Sequence, residues 1–125
     1  MKSDKPIKTI KDLRVYNLTF KLAMEIFMLS KRFPKEEQYS LTDQIRRSSR
    51  SIPANIREGF AKRKFEKVFI RHLHDAIGSC EETRTWLDFG LECGYIEAED
   101  NERLNCAYDE VTAMLYALQS RWKTY

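Results

Sequence analysis

The residues of this chain best suited to chemistry are its arginines and lysines, and the chemistry they suit is the holding of phosphate. Within DQIRRSSRSIPANIREGF, from Asp43 to Phe60, Arg46, Arg50 and Arg57 recur at steps of four and seven. At about 100° per residue they share one flank of a helix, roughly 100–140° from an apolar face of Ile45, Ile52, Ile56 and Phe60. Downstream, Lys64, Lys67 and Arg71 follow at steps of three and four on one flank of the next helix, with Lys62 and Arg63 in the turn between. Together with Arg47 these nine cations are offset only by Glu58 and Glu66 between positions 46 and 71, a balance of +7. From position 76 to 125, four basic and ten acidic residues leave −6, so the net charge of +3 conceals an uneven distribution. A guanidinium presents a planar fork of donors that fits a phosphate, and two such rows joined into one surface would bind RNA or DNA mainly through the backbone. Few exposed aromatics are expected beside the rows, so base stacking and sequence reading should be minor.

Other site chemistries are poorly supported. His72 and His74 are the only histidines, and a spacing of two turns them about 200° apart on a helix, so they cannot chelate one metal. No Glu-x-x-His occurs, which removes the di-iron pattern of some helical bundles. Cys80 has no histidine three or four residues away and reads as a buried structural thiol. Gly59, Gly78 and Gly90 are isolated, and none belongs to a phosphate-cradling loop. The expectation is a protein that is not an enzyme, with no metal, cofactor or small-molecule substrate. Asn55, next to Pro53, is open to two roles: bonding a backbone carbonyl near the proline, or bonding a nucleic-acid group. In the structural role Glu58 pairs with Lys62 and Gly59 lets two helices approach closely.

The elements that must position these side chains are helices. With 125 residues, 42% hydrophobic and 33% charged, the chain suits a single helix-rich domain, 1–125. The periodicity predicts helices over about 12–32, 41–61, 65–93 and 97–122, with Asp12 as the first cap and Ser40 with Asp43 as a variant capping box. The third should stop at Gly94, and acidic residues mark the start of the fourth. Short connections imply antiparallel neighbours, so the fold class is all-α, an up-down-up-down four-helix bundle. Pro53 removes the amide that would bond the Ser49 carbonyl; the unbroken apolar phase favours one kinked helix over two short ones. No run of apolar residues is long enough to span a membrane, and the N-terminal lysines precede no apolar segment of a secretory signal. Three cysteines with no C-x-x-C fit reduced thiols in a cytoplasmic protein.

The run QIRRSSRSIPANIREG closely resembles the signature of the four-helix-bundle proteins encoded in intervening sequences of bacterial 23S rRNA genes. DLRVYNLTFKLAMEIFMLSKRFPKEEQYSL upstream, and IGSCEETRTWL and LECGYI downstream, fit in the same order, over about residues 10–120. The chain departs from that pattern at Arg57, where a small residue is common, and at Thr83 and Arg84, where a Leu-Glu pair is usual. The resemblance implies a homo-oligomer, a ring of five, and it allows a second role as an adaptor that holds a protein such as a reverse transcriptase. The sequence supports an oligomer in its own way. The first helix carries two apolar stripes, one of Leu13, Tyr16, Phe20, Ala23 and Phe27, the other of Val15, Leu18, Leu22, Ile26, Leu29 and Phe33. One bundle is expected to bury a single stripe, so Val15, Leu18, Leu22, Ile26 and Leu29, with Trp86 and Phe89 on the third helix, are predicted to meet another protomer.

Overall fold

In the computed structural model, residues 6–122 are described. A 3-10 turn, Ile10–Asp12, leads into α1 (Arg14–Ser30); a second, Lys35–Glu37, leads into α2 (Leu41–Ala61); α3 (Glu66–Glu92) and α4 (Ala98–Trp122) follow. The described residues contain no strand, and the four helices form the expected up-down-up-down bundle. The most extensive packing is between α2 and α3, then α1 with α2 and α3 with α4.

The end of α3 is closed as expected, whereas the starts of α1 and α2 are capped differently. Gly94 adopts φ +81°, and the Tyr95 N–H reaches the Gly90 carbonyl at 2.8 Å while the Gly94 N–H reaches Leu91 at 2.9 Å. That pair of bonds closes α3 on a residue without a Cβ. Asp12 does not cap α1: its carboxylate accepts the Lys8 and Thr9 amides, both at 2.9 Å, and organises the preceding turn instead. Ser40 stands at the start of α2 with no side-chain cap bond, and Glu37 supplies the missing acceptor, its Oε1 taking the Leu41 amide at 3.2 Å. Beyond Ser30, α1 tightens through bonds from Lys31, Arg32 and Phe33 to the third residue back, which carries the chain to Pro34.

The core joins Ile45, Ile52, Ile56 and Phe60 of α2 to Phe69, Leu73, Ala76 and Leu87 of α3 and to Leu104, Tyr108, Val111 and Leu115 of α4, all buried. Each large apolar side chain buried there contributes about 1.5–3 kcal/mol. The predicted partner surface on α1 is part of this core. Val15, Leu22, Ile26 and Leu29 are between 0 and 8% exposed within the single chain, and Leu18 is half-buried against them. The two stripes lie about 140° apart at 100° per residue, and Thr19, Ala23 and Tyr16 bridge them into one wide buried arc. A helix flanked by two others buries such an arc. Among the large apolar residues of α1, only Phe20, Met24 and Met28 remain substantially exposed, at 52, 49 and 58%. On α3, Trp86 is half-buried and Phe89 is exposed, their rings 5.9 Å apart.

Candidate nucleic-acid interface

α2 runs unbroken through Pro53, and its three flanks do three different jobs. The isoleucine flank enters the core. A second flank, Ser48, Ser51, Asn55 and Gly59, packs on α3. The Ser51 and Ser79 hydroxyls are 2.6 Å apart, and the Ser48 and Thr83 hydroxyls 2.9 Å apart. The Asn55 amide donates to the Ser51 carbonyl at 3.0 Å, while its Oδ1 meets His72 Nδ1 at 3.2 Å. A Cβ built on Gly59 would stand 2.6 Å from the His72 Cβ, so only glycine permits this approach. The Glu58 carboxylate lies 3.5 Å from Lys62. Asn55 and Gly59 thus lie in the α2–α3 seam, and Glu58 pairs with Lys62 at the exposed end of α2. Asn55 serves the Ser51 carbonyl rather than the Ser49 carbonyl that Pro53 leaves without its amide.

The third flank carries Arg46, Arg50 and Arg57 and turns toward α1. Arg46 Nε donates to the Ser30 hydroxyl at 2.7 Å, and its guanidinium lies 4.8 Å from the Phe27 ring centre. Arg50 sits 5.5 Å from the same ring. Arg57 donates to the Tyr16 hydroxyl at 3.3 Å and lies 6.0 Å from that ring. At the end of α2, Arg63 bonds the Phe60 carbonyl at 2.9 Å and covers the Phe60 ring at 3.9 Å. Lys64 stands 5.9 Å from the Phe65 ring. Arg47, Lys67 and Arg71 are exposed. Among the described residues only Lys62, of the nine predicted cations, forms a salt bridge.

These positions follow from the side chains. A guanidinium stacks on aromatic faces and is weakly hydrated, so it lies along ring surface without losing its charge. The structure brings Arg46, Arg50 and Arg57 together in the α1–α2 groove. Lys64, Lys67 and Arg71 belong to the turn and α3; Lys64 meets Phe65, and Lys67 and Arg71 make no ion pair or ring contact among the described residues. The sequence missed the contribution of α1: Tyr16, Phe27 and Ser30 hold the arginines. It also expected few aromatics beside the cations, whereas Phe20 and Phe65 lie there at 52 and 61% exposure. The 3.6-residue period of α1 signalled an aromatic stripe, but not which helix it would meet.

Between α1 and α2 is a cleft of about 330 Å³, walled by Tyr16, Phe20, Ala23, Met24, Pro53 and Ala54, with Arg50 and Arg57 also lining it. No group of three or more His, Cys, Asp or Glu residues capable of holding a metal occurs among the described residues. No described helix is long and apolar enough to cross a membrane.

A four-helix bundle with an arginine-lined groove defines the class of protein. The chain belongs to the 23S rRNA-intervening sequence protein family, whose sequence model matches residues 11–117. A crystal structure of a protein of unknown function from the S23 ribosomal protein family of Bacteroides thetaiotaomicron is similar, at 30% identity and a TM-score of 0.76. That match covers 85% of this chain and 95% of the other. No curated protein matches.

Proposed function

We propose that the protein is a non-catalytic binder of structured RNA or DNA that grips phosphates with the α2 arginines and the cations of the α2–α3 turn. The observation that carries this reading is the scarcity of ion pairs on the basic surface: eight of the nine cations have no salt-bridge partner among the described residues. Placing uncompensated like charges side by side costs stability, and an anionic partner relieves that cost. Family membership supports the same reading only at the level of the fold, and the cytoplasm is the compartment in which such a partner is met.

Electrophoretic mobility shift across a salt series tests it. Neutralising about six phosphates gives a log–log slope near −5 on duplex DNA. A slope near zero, or no shift at low salt, removes the proposal and leaves the adaptor role, in which the same surface holds an acidic protein.

Assembly into a homo-oligomer, a ring of five by resemblance to the family, belongs to the same proposal and would multiply weak phosphate contacts by avidity. With the α1 stripe buried in the chain, the Trp86–Phe89 pair is the surviving part of the predicted interface. Light scattering at micromolar concentration should give a multiple of the chain mass, and Trp86→Glu should reduce it to one chain with the helices retained.

A further inference from the structure

We infer that the α1–α2 cleft seats one unpaired nucleobase of a single-stranded nucleic acid, with Arg50 and Arg57 taking the phosphates on either side of it. This rests on the phosphate-binding reading above and adds to it a preference for unpaired strands. The cleft has the size and composition of a small-ligand site: about 330 Å³, apolar walls, and a few charged groups. Of its two aromatic residues Tyr16 is buried, whereas Phe20 stays 52% exposed and free to stack, and Met24 beside it is 49% exposed. Pro53, Ala23 and Ala54 add short apolar side chains that crowd the space little.

The charges in this cleft fit a nucleotide. Arg50 and Arg57 both line it and neither has a carboxylate partner among the described residues. Two helical turns separate them, about 10.5 Å along the axis at 1.5 Å per residue, which leaves room for a base with a phosphate to each side. Arg57 is steadied by one bond to the Tyr16 hydroxyl and Arg50 by the Phe27 ring. A guanidinium has five N–H donors, so most remain for phosphate oxygens. Steadying by a ring or a phenol limits the freedom of the side chain without neutralising it, which an acidic partner would do.

The unpaired state follows from access. A base within a duplex is stacked on both faces, and extruding it is costly, whereas a single strand offers its bases freely. Stacking on an aromatic side chain is worth on the order of tenfold to a hundredfold in affinity per base. The remaining cations give the salt-dependent binding common to both kinds of strand.

The test uses fluorescence anisotropy of the whole chain with labelled oligothymidylate, an abasic strand of equal length, and a duplex of equal length at one salt concentration. The expected result is that oligothymidylate binds on the order of tenfold more tightly than the abasic strand. Phe20→Ala should remove that difference and leave duplex binding unchanged. Ala54→Leu, which fills the cleft from an exposed helical position, should do the same. Circular dichroism establishes that each variant is folded. Equal binding of the normal and abasic strands by the wild-type protein overturns the base slot while leaving the phosphate reading standing. Failure of every strand to bind overturns both. Displacement of oligothymidylate by polyglutamate as effectively as by unlabelled strand also overturns the inference, because it assigns the cleft to an acidic polypeptide.

Discussion

Arg57 of α2 donates to a phenol at 3.3 Å, whereas Arg84 of α3 lies 3.3 and 3.5 Å from the carboxylates of Glu81 and Asp109 and donates to the Asn105 amide oxygen at 3.0 Å. The contrast extends across the molecule. Arg46, Arg50 and Arg63 lie on rings, a hydroxyl and a backbone carbonyl. Away from this surface, Arg103 pairs with Glu25 at 3.0 Å and Asp100 at 3.6 Å, and Arg14 and Arg32 also end on acids. Both groups of arginines help to join helices. Only the first keeps an unneutralised positive field while doing so, because a π face or a hydroxyl attracts the guanidinium without cancelling its charge. The type of partner, more than the count of charges, separates a surface available to an anion from one that closes the fold.

The strongest test of that separation is to neutralise one side. Replacing Arg50, Arg57, Lys64 and Lys67 with Gln should weaken RNA and DNA binding on the order of a hundredfold at moderate salt and flatten the salt slope by about 3–4. Mobility shift reads both. Unchanged affinity would mean that the unpaired cations do not form the binding surface.

The next effect concerns the seam that fixes α2 in place. Gly59→Ala should destabilise the fold by about 1–3 kcal/mol, because the new methyl meets the His72 Cβ across a helix contact. Gly78 has nothing within 4 Å of its built Cβ, so Gly78→Ala should instead stabilise by about 0.5–1 kcal/mol through helix propensity. Urea denaturation of the two variants measures both; a shared sign would show that the seam does not depend on close approach.

A smaller effect sharpens the contrast between arginines. Arg84→Gln removes two ion pairs at a site 29% exposed and should cost no more than about 1 kcal/mol, with nucleic-acid affinity unchanged. A loss of binding comparable to that of Arg57→Gln would erase the distinction drawn between them.

The smallest perturbation is chemical. Burial pushes the Cys80 thiol up to about 12, so at about pH 9 it stays protonated, while Cys93 and Cys106 are exposed. Iodoacetamide should modify two thiols in the folded protein and the third only on unfolding, as mass spectrometry would record. Rapid modification of Cys80 would mean that the bundle opens near α4.

Much of the fold was legible because its signals are local. The isoleucine phase across Pro53, the glycine after α3 and the heptad-like stripe of α4 each depend on residues within a few turns. The site was legible only as a set of cations. Leu22 shows why: its spacing placed it on an apolar stripe, but spacing carries no information about whether a stripe meets another helix of the same chain or a partner. It is 4% exposed within the chain, so Leu22→Glu would disturb the core and not merely an interface. The serines of α2 gave no signal at all, since Ser48 and Ser51 gain their role from Thr83 and Ser79, 35 and 28 residues away.

The sequence by itself determined the all-α class, the approximate extents of four helices and the uneven charge, because period, end signals and composition are properties of neighbouring residues. Tertiary structure alone decided which flank of α2 faces α1, that Tyr16 and Phe27 would hold arginines, and that Phe20 and Met24 would remain open beside them. Those outcomes depend on how far each helix is rotated about its own axis when the core closes. That rotation is set by packing several helices at once, and no single segment encodes it.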